Sequence, residues 1–413
     1  MRSALLLLLL LLTPLLSADE ARAGTEGTSR TYLRSWESND DERHAPLAEF
    51  LEFSSALGKG GAFSLNVGGW GRVDLGEETN GDTTRGELQY GHLAWHGATG
   101  NRVARLGRLE VTGGVALAER LDGLSFGGDL AGGLSAAAYV GVPVETDDDG
   151  RDGDLIYGAR IAHRRYGRWD VGASYLKERN DGADLREETG FDIFLRPFRM
   201  VTLDGRSAYS IDQSAWMEHH YRVSVVPLPA LTLGGEYQDV DYKAFFRAAD
   251  VTAFLPANLA GEEGMRLAGV EASYAFTVGL TASVSWRDYA YDVAGDAQAA
   301  GAGLRYASGS LGAGLSYNRV DGDSPNLRYR EYRGYGTWRP GRFDLALDLG
   351  SQHYDEAIDG EDVGTTGTVA VGFALRPALR LAADLSYTAD PYFSSDVRGM
   401  IKLVYGFAAG PKP

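Results

Sequence analysis

Long runs in which apolar and polar side chains alternate constrain this chain more than any other feature. In Trp169, Val171, Ala173 and Tyr175 the apolar positions are separated by Asp170, Gly172 and Ser174. The pattern returns at Leu231, Leu233, Gly235 and Tyr237, and at Leu280, Ala282, Val284 and Trp286. It returns again at Phe343, Leu345, Leu347 and Leu349, and at Leu381, Ala383, Leu385 and Tyr387. Period two belongs to the β-strand, whose successive side chains point to opposite faces, so each run builds one apolar face and one polar or glycine-rich face. A soluble β-sandwich alternates in the same way. Here the runs are about 10 to 14 residues long against about 5 to 6 for a usual soluble strand, a length that suits a tilted membrane crossing.

Two further patterns agree with crossing strands. Trp169, Trp338 and Phe343 flank short turns, while Tyr237, Tyr317 and Tyr387 lie toward the opposite strand ends, as two aromatic girdles at the headgroup levels would. Connections also alternate in length. Gly97 to Asn101, Tyr166-Gly167, Pro197-Phe198, Pro227 to Pro229, Val278-Gly279, Gly309-Ser310, Pro340-Gly341 and Pro377 read as short turns. Glu78 to Thr84, Glu145 to Asp154, Asn180 to Ala183, Asp241 to Gly264, Asp321 to Asn326, Asp355 to Gly364 and Ala389 to Asp396 read as longer, acidic loops. The expectation is an all-β fold: a closed transmembrane antiparallel β-barrel in meander order with about 22 strands, within a range of about 18 to 22. Both ends of the barrel chain fall on the short-turn side only if Thr28 to Trp36 and Leu121 to Gly128 are strands.

Composition excludes several classes of function. None of the 413 residues is Cys, which removes disulfide frameworks, thiolate metal sites, iron-sulfur clusters and c-type haem attachment, so no cofactor is expected. A net charge of −17 argues against nucleic acid as a partner, because that affinity rests on cationic side chains displacing counterions. The N-terminus sets the address. Arg2, the run Leu5 to Leu12 and the small residues ending in Ala21-Arg22-Ala23 read as a secretory signal over 1–23, with cleavage after Ala18 as the rival site. Residues 24–413 are then expected to form one barrel domain.

These features together resemble a Gram-negative outer-membrane porin, as does the final strand with Ile401, Leu403, Tyr405 and Phe407 on one face. Arg105-Leu106-Gly107-Arg108, followed by Leu121-Asp122-Gly123, resembles large porin-like barrels of delta-proteobacterial genomes, some relatives of which form the barrel of porin-cytochrome conduits. The resemblance implies an outer-membrane monomer that meets the barrel assembly machinery, outer-membrane lipid and lipopolysaccharide, with a multihaem cytochrome as a conditional partner. One departure is that Ala408 to Pro413 follow Phe407, where such chains commonly end on an aromatic.

A barrel of about 20 strands is too wide for side chains alone to fill. Arg160, Glu218, Arg222, Glu236, Glu271, Arg287, Arg305, Asp344, Asp348, Arg380 and Asp384 fall on the polar faces and are the pore-lining candidates. They either set a transverse field that discriminates solutes or merely keep the interior wet. Two segments are constriction candidates. Val111 to Leu124 breaks the strand rhythm, and its Ala116 to Leu121, with Glu119 and Arg120, is locally helix-friendly and expected as a short inward helix or loop. Asp241 to Gly264 is the longest connection and carries Phe245, Phe246, Phe254 and Leu255; it either folds inward or packs over the mouth or a partner.

Signals for chemistry are sparse. His92 and His96 would lie about 13 Å apart on a strand, too far to share a metal, and His219-His220 point to opposite faces. The run Asp147 to Asp154 resembles a calcium loop but lacks the downstream bidentate Glu, so no metal site is assigned. Ser and Asp residues near His219, His220 or His353 could be assembled into a hydrolytic grouping, yet no local motif selects them. The leading expectation is a channel for passive diffusion of small hydrophilic solutes or ions, with no catalytic residues. The alternatives are a sheath for an electron-carrying cytochrome and an outer-membrane enzyme.

Overall fold

The structure, a computed structural model, describes residues 24–37, 42–58, 61–78, 83–144, 154–246, 264–276, 279–391 and 393–409. Among them are 22 long antiparallel strands of 10 to 17 residues, joined in meander order into a closed transmembrane β-barrel, plus a two-residue strand. The expected fold and strand number are therefore observed. Closure removes the free edges that lipid could not hydrogen-bond.

The chain divides into two compact units. The first is built on β1 (Thr25–Glu37), β2 (Arg43–His44), β3 (Pro46–Leu57), β4 (Phe63–Asp74), β5 (Thr84–His96) and most of β6 (Arg102–Gly113). The second holds β7 (Ala116–Asp129), β8 (Leu134–Pro143), β9 (Leu155–Arg165), β10 (Trp169–Asn180), β11 (Ala183–Phe198) and β12 (Val201–Ser210). It continues through β13 (Ala215–Leu228), β14 (Leu231–Asp241), the short helix α1 (Tyr242–Phe246), β15 (Gly264–Ala275), β16 (Leu280–Tyr291), β17 (Gly295–Ser308) and β18 (Leu311–Gly322). β19 (Tyr329–Trp338), β20 (Phe343–Ile358) and β21 (Glu361–Arg376) are each divided between the units, and β22 (Leu379–Asp390) and β23 (Phe393–Ala409) complete the first. Within that first unit, β1 pairs with β23 from Thr25↔Ala409 to Ser35↔Gly399, which brings the two ends of the described chain together at the short-turn rim. Thr28 to Trp36 lies in β1 and Leu121 to Gly128 in β7, as the parity argument requires.

Side-chain crowding tells the faces apart. On β10, Leu176 is fully buried on the face of Asp170, Gly172 and Ser174, whereas Val171 on the other face is 40% exposed. In a closed barrel the crowded face is the concave one, so the charged, glycine-rich face is inner and the exposed apolar face is outer. The outer face carries Val270, Val284, Leu304 and Leu315 at mid-strand, with Tyr237, Tyr317 and Tyr387 toward the long-loop rim and Trp338 and Phe343 at the short-turn rim.

Several connections differ from expectation. Asn180 to Ala183 closes on the two-residue turn Asp181-Gly182, and Asp355 to Gly364 on Asp359-Gly360 between two 16-residue strands. Ala389 to Asp396 is likewise mostly strand. Asp181 and Asp359 take positive φ at these turns, which short polar side chains tolerate, so charged sequence was strand continuing past the apolar band. A larger correction concerns Val111 to Leu124. Ala116 to Leu121 is extended in β7, and the chain reverses at the two-residue turn Gly114-Val115, with φ of 125° at Gly113 and 64° at Gly114. Two adjacent glycines with positive φ set a tight hairpin turn, and this outweighs the modest helix preference of Ala-Leu-Ala-Glu-Arg-Leu.

Candidate functional site: the inner wall and an inward hairpin

β6 and β7 leave the barrel wall before they meet. β5 pairs with β6 only as far as Gly91↔Arg108, and β7 pairs with β8 only from Leu121↔Pro143. Residues 110–120 between these limits form a hairpin that turns inward. Its tip is seated on the inner face of β10 and β11: the Val115 amide donates to Ser174 Oγ at 3.0 Å, a buried bond between residues far apart in sequence. Gly190 on β11 leaves room for Val115, since a Cβ there would approach Val115 Cγ1 to 2.7 Å. Gly114 makes room for Ser174 in the same way. Val111, Val115 and Ala116 are buried, while Glu110, Thr112, Leu117 and Ala118 remain exposed.

A charged latch holds the hairpin flank. Arg186 on β11 pairs with Glu119 of the hairpin at 2.5 Å, with Glu178 of β10 at 2.5 Å and with Glu188 at 3.8 Å. Glu178 and Glu188 are themselves buried, so Arg186 is what holds three carboxylates close together. A cavity of about 340 Å³ opens beside the latch, lined among others by Glu119, Arg186, Met217, Glu218 and Phe245. The candidates Glu119 and Phe245 thus meet here, while Arg120 sits at the hairpin base, where its carbonyl accepts from the Val144 amide. Phe246 ends α1, and Phe254, with the rest of 247–263, lies outside the described residues, as do 145–153 of the acidic run. Among the described residues no cluster suited to a metal ion is present.

The pore-lining candidates are organised by a device that recurs three times: a charge pair spans two strands across a glycine on the strand between. Arg160 on β9 reaches Asp192 on β11 at 2.9 Å over Gly172, and also pairs with Asp170 at 2.7 Å. Arg287 on β16 donates to Glu236 on β14 at 2.6 Å over Gly269. In the first unit, Arg380 on β22 pairs with Asp344 on β20 at 2.9 Å over Gly372. Neighbouring strands lie about 4.8 Å apart, so a long side chain crosses one strand only where that strand has no side chain in the way. A Cβ at Gly172, Gly269 or Gly372 would sit 2.5 to 2.9 Å from the crossing side chain.

The other candidates fall beside these bridges. Arg222 has Asp204 and Glu236 as its cross-strand partners, so Asp204, Arg222 and Glu236 form one register row of alternating sign. Glu218 is buried against Arg206 at 2.6 Å. Glu271 lies over Gly234, Arg305 is opposite Thr281 and Gly314, and Asp384 is opposite Ala370 and Met400. Asp348 is on the face of Asp344, further along β20. The structure adds Asp170, Asp192, Asp204, Arg206, Glu178, Arg186 and Glu188. Asp170, Asp192 and Asp204 stand at inner positions of alternating runs, the signal by which they could have been found, whereas Glu178, Arg186 and Glu188 have charged neighbours such as Lys177 and Glu187 on the other face and carry no such signal. With Glu236 replaced by Gln, Arg287 loses its carboxylate; the reversal potential in a salt gradient is expected to move toward anion preference by about twofold in permeability ratio. Arg287→Gln is expected to move it the opposite way.

No family model matches this sequence, and no curated protein is similar to it in sequence. Solved structures share the fold. The siderophore receptor PirA from Pseudomonas aeruginosa aligns with a TM-score of 0.62 at 12% identity, over 93% of this chain and 80% of that one. A mutant of the ferric enterobactin receptor PfeA from Pseudomonas aeruginosa aligns at 0.59 and 10% identity, over 93% and 80%. The translocation pore of the P pilus usher PapC aligns at 0.50 and 9% identity, over 93% and 99%. At such identities the likeness concerns the fold alone, and that fold is the large antiparallel barrel of outer-membrane proteins.

Proposed function

We propose that this chain is an outer-membrane channel of a Gram-negative bacterium, through which small hydrophilic solutes or ions diffuse passively. The observation that supports this best is the inward hairpin 110–120, a strap seated on the charged inner wall of the second unit, where a constriction of a solute path would be placed. The alternating row Asp204, Arg222, Glu236 supplies both signs of charge to a passing solute. In this reading, residues 1–23 direct export, the barrel assembly machinery inserts the chain, and the monomer contacts lipid and lipopolysaccharide. No chemical step is part of it. The test is to insert the purified full chain into a planar bilayer and record single channels. Steady conductance on the nanosiemens scale is expected; silence both in the intact chain and after removal of the hairpin tip overturns the proposal.

A further inference from the structure

One stretch of the first unit's inner wall carries aromatic rings among its charged groups. Four consecutive long strands each present an aromatic ring on this face, Tyr32 on β1, Phe50 on β3, Trp70 on β4 and Tyr90 on β5, with Trp36 further along β1 stacked on His44. The inner assignment follows from register, because Tyr32 is opposite Lys402 and Phe50 is opposite Arg30, while the alternate positions include the exposed Ile401 and Leu403. Tyr32 and Phe50 meet edge to face with centroids 5.4 Å apart, and Phe50 and Trp70 stack at 6.3 Å. Tyr90 lies over Gly68, and Lys402 caps the Tyr32 ring at 5.0 Å. All four rings are only half-buried, so apolar ring surface faces the lumen.

A contiguous apolar patch on an otherwise polar face marks a candidate ligand-binding surface. The groups around the band indicate which ligand. Arg30 and Glu52 pair at 2.7 Å beside Phe50, placing guanidinium donors and carboxylate acceptors next to the rings, and Lys402 over Tyr32 and Glu87 opposite Trp70 add one charge of each sign. Ser54 donates to Asn66 Oδ1 at 2.8 Å, and the Asn66 amide donates to Ser64 at 3.1 Å, adding neutral donors and acceptors on the same face. Apolar ring faces bordered by hydrogen-bonding groups of balanced charge are complementary to a ring that is apolar on its face and hydroxylated at its edge. We infer that the band Tyr32, Phe50, Trp70 and Tyr90 is a binding platform for a neutral pyranose sugar, whose C–H face stacks on the rings while its hydroxyls reach Arg30, Glu52 and Asn66.

This rests on the channel reading for its biological meaning, because it names the class of solute, but its test does not require conduction. Saturation-transfer NMR of methyl glucopyranoside with the detergent-solubilised full chain reads weak binding and reports which sugar protons touch the protein. The expected result is saturation concentrated on ring C–H protons. Affinity should fall about tenfold in Trp70→Ala with Phe50→Ala, and be largely restored when Trp70→Tyr and Phe50→Tyr are combined instead, as loss and return of two ring contacts would give. Sorbitol, with hydroxyls but no ring face, and benzoate, with a ring but no hydroxyl edge, should bind at least about tenfold more weakly. Equal binding by the double alanine variant, by sorbitol or by benzoate overturns the sugar platform, and so does absence of any saturation. Retained heat-modifiable mobility on a gel shows that each variant is folded. If the sugar binds but bilayer recordings are silent, the channel reading fails and the platform stands.

Discussion

Replacing residues 111–119 by a two-residue turn is expected to raise single-channel conductance by about two- to fivefold, because a strap two strands wide would leave the lumen of a barrel this large. Gly113-Gly114 places the strap tip against Ser174, and Gly190 leaves the space that Val115 enters, so the obstruction depends on a few small residues. The wall behind it is continuous without it: β9, β10, β11 and β12 pair along their length independently of the tip. The barrel should therefore fold normally in the deletion, with unchanged heat-modifiable mobility. A partial version is Arg186→Ala, which leaves Glu119, Glu178 and Glu188 near one another without their cation. Repulsion among them should loosen the strap and replace a steady current by flicker between two levels. Unchanged conductance in the deletion would mean that the strap is not the narrow point.

The second large effect is on stability in the bilayer. Val270 lies at the middle of β15 on the outer face and is 61% exposed, in the position of a lipid-facing side chain. Val270→Arg is expected to cost about 2 to 4 kcal/mol in reversible unfolding from lipid vesicles, the range for a cation near the bilayer midplane. Its sequence neighbour Glu271 points the other way, into the wet interior over Gly234. Glu271→Gln should change stability by no more than about 0.5 kcal/mol, as a substitution at an exposed wet position does. Adjacent residues with such different costs are peculiar to a sheet with lipid on one side and water on the other. Equal costs at the two positions would show that the face assignment is wrong.

Much of the barrel was legible because alternation is a local property. Leu280, Ala282, Val284 and Trp286 share one face of β16, and Thr281, Ser283 and Ser285 share the other, simply because strand side chains alternate, whatever the neighbouring strands contain. The short turns at Tyr166-Gly167 and Gly309-Ser310 were equally local. Loop lengths were less legible, since acidic residues such as those in Asp355 to Gly364 occur both in strands that rise past the apolar band and in true loops. Of the two readings of Val111 to Leu124, a short helix or an inward loop, the helix is not formed and the segment turns inward as a β-hairpin. Gly113-Gly114 between Val111 and Val115 is a hairpin signal, and the helix-friendly Ala116 to Leu121 masked it.

What the sequence determined by itself was the class of fold: long strands whose faces alternate, in number enough for a large barrel. These follow from the geometry of a single extended chain and from the need to satisfy every backbone group in lipid. Tertiary structure alone decided which charges meet. Arg160 with Asp192, Glu236 with Arg287 and Asp344 with Arg380 are joined across an intervening strand, so each pairing depends on two successive registers and on the glycine between. It also decided that Val115 rests on Ser174 and that the rings of Tyr32, Phe50 and Trp70, from three strands, meet, because such contacts depend on how strands far apart in sequence are brought together.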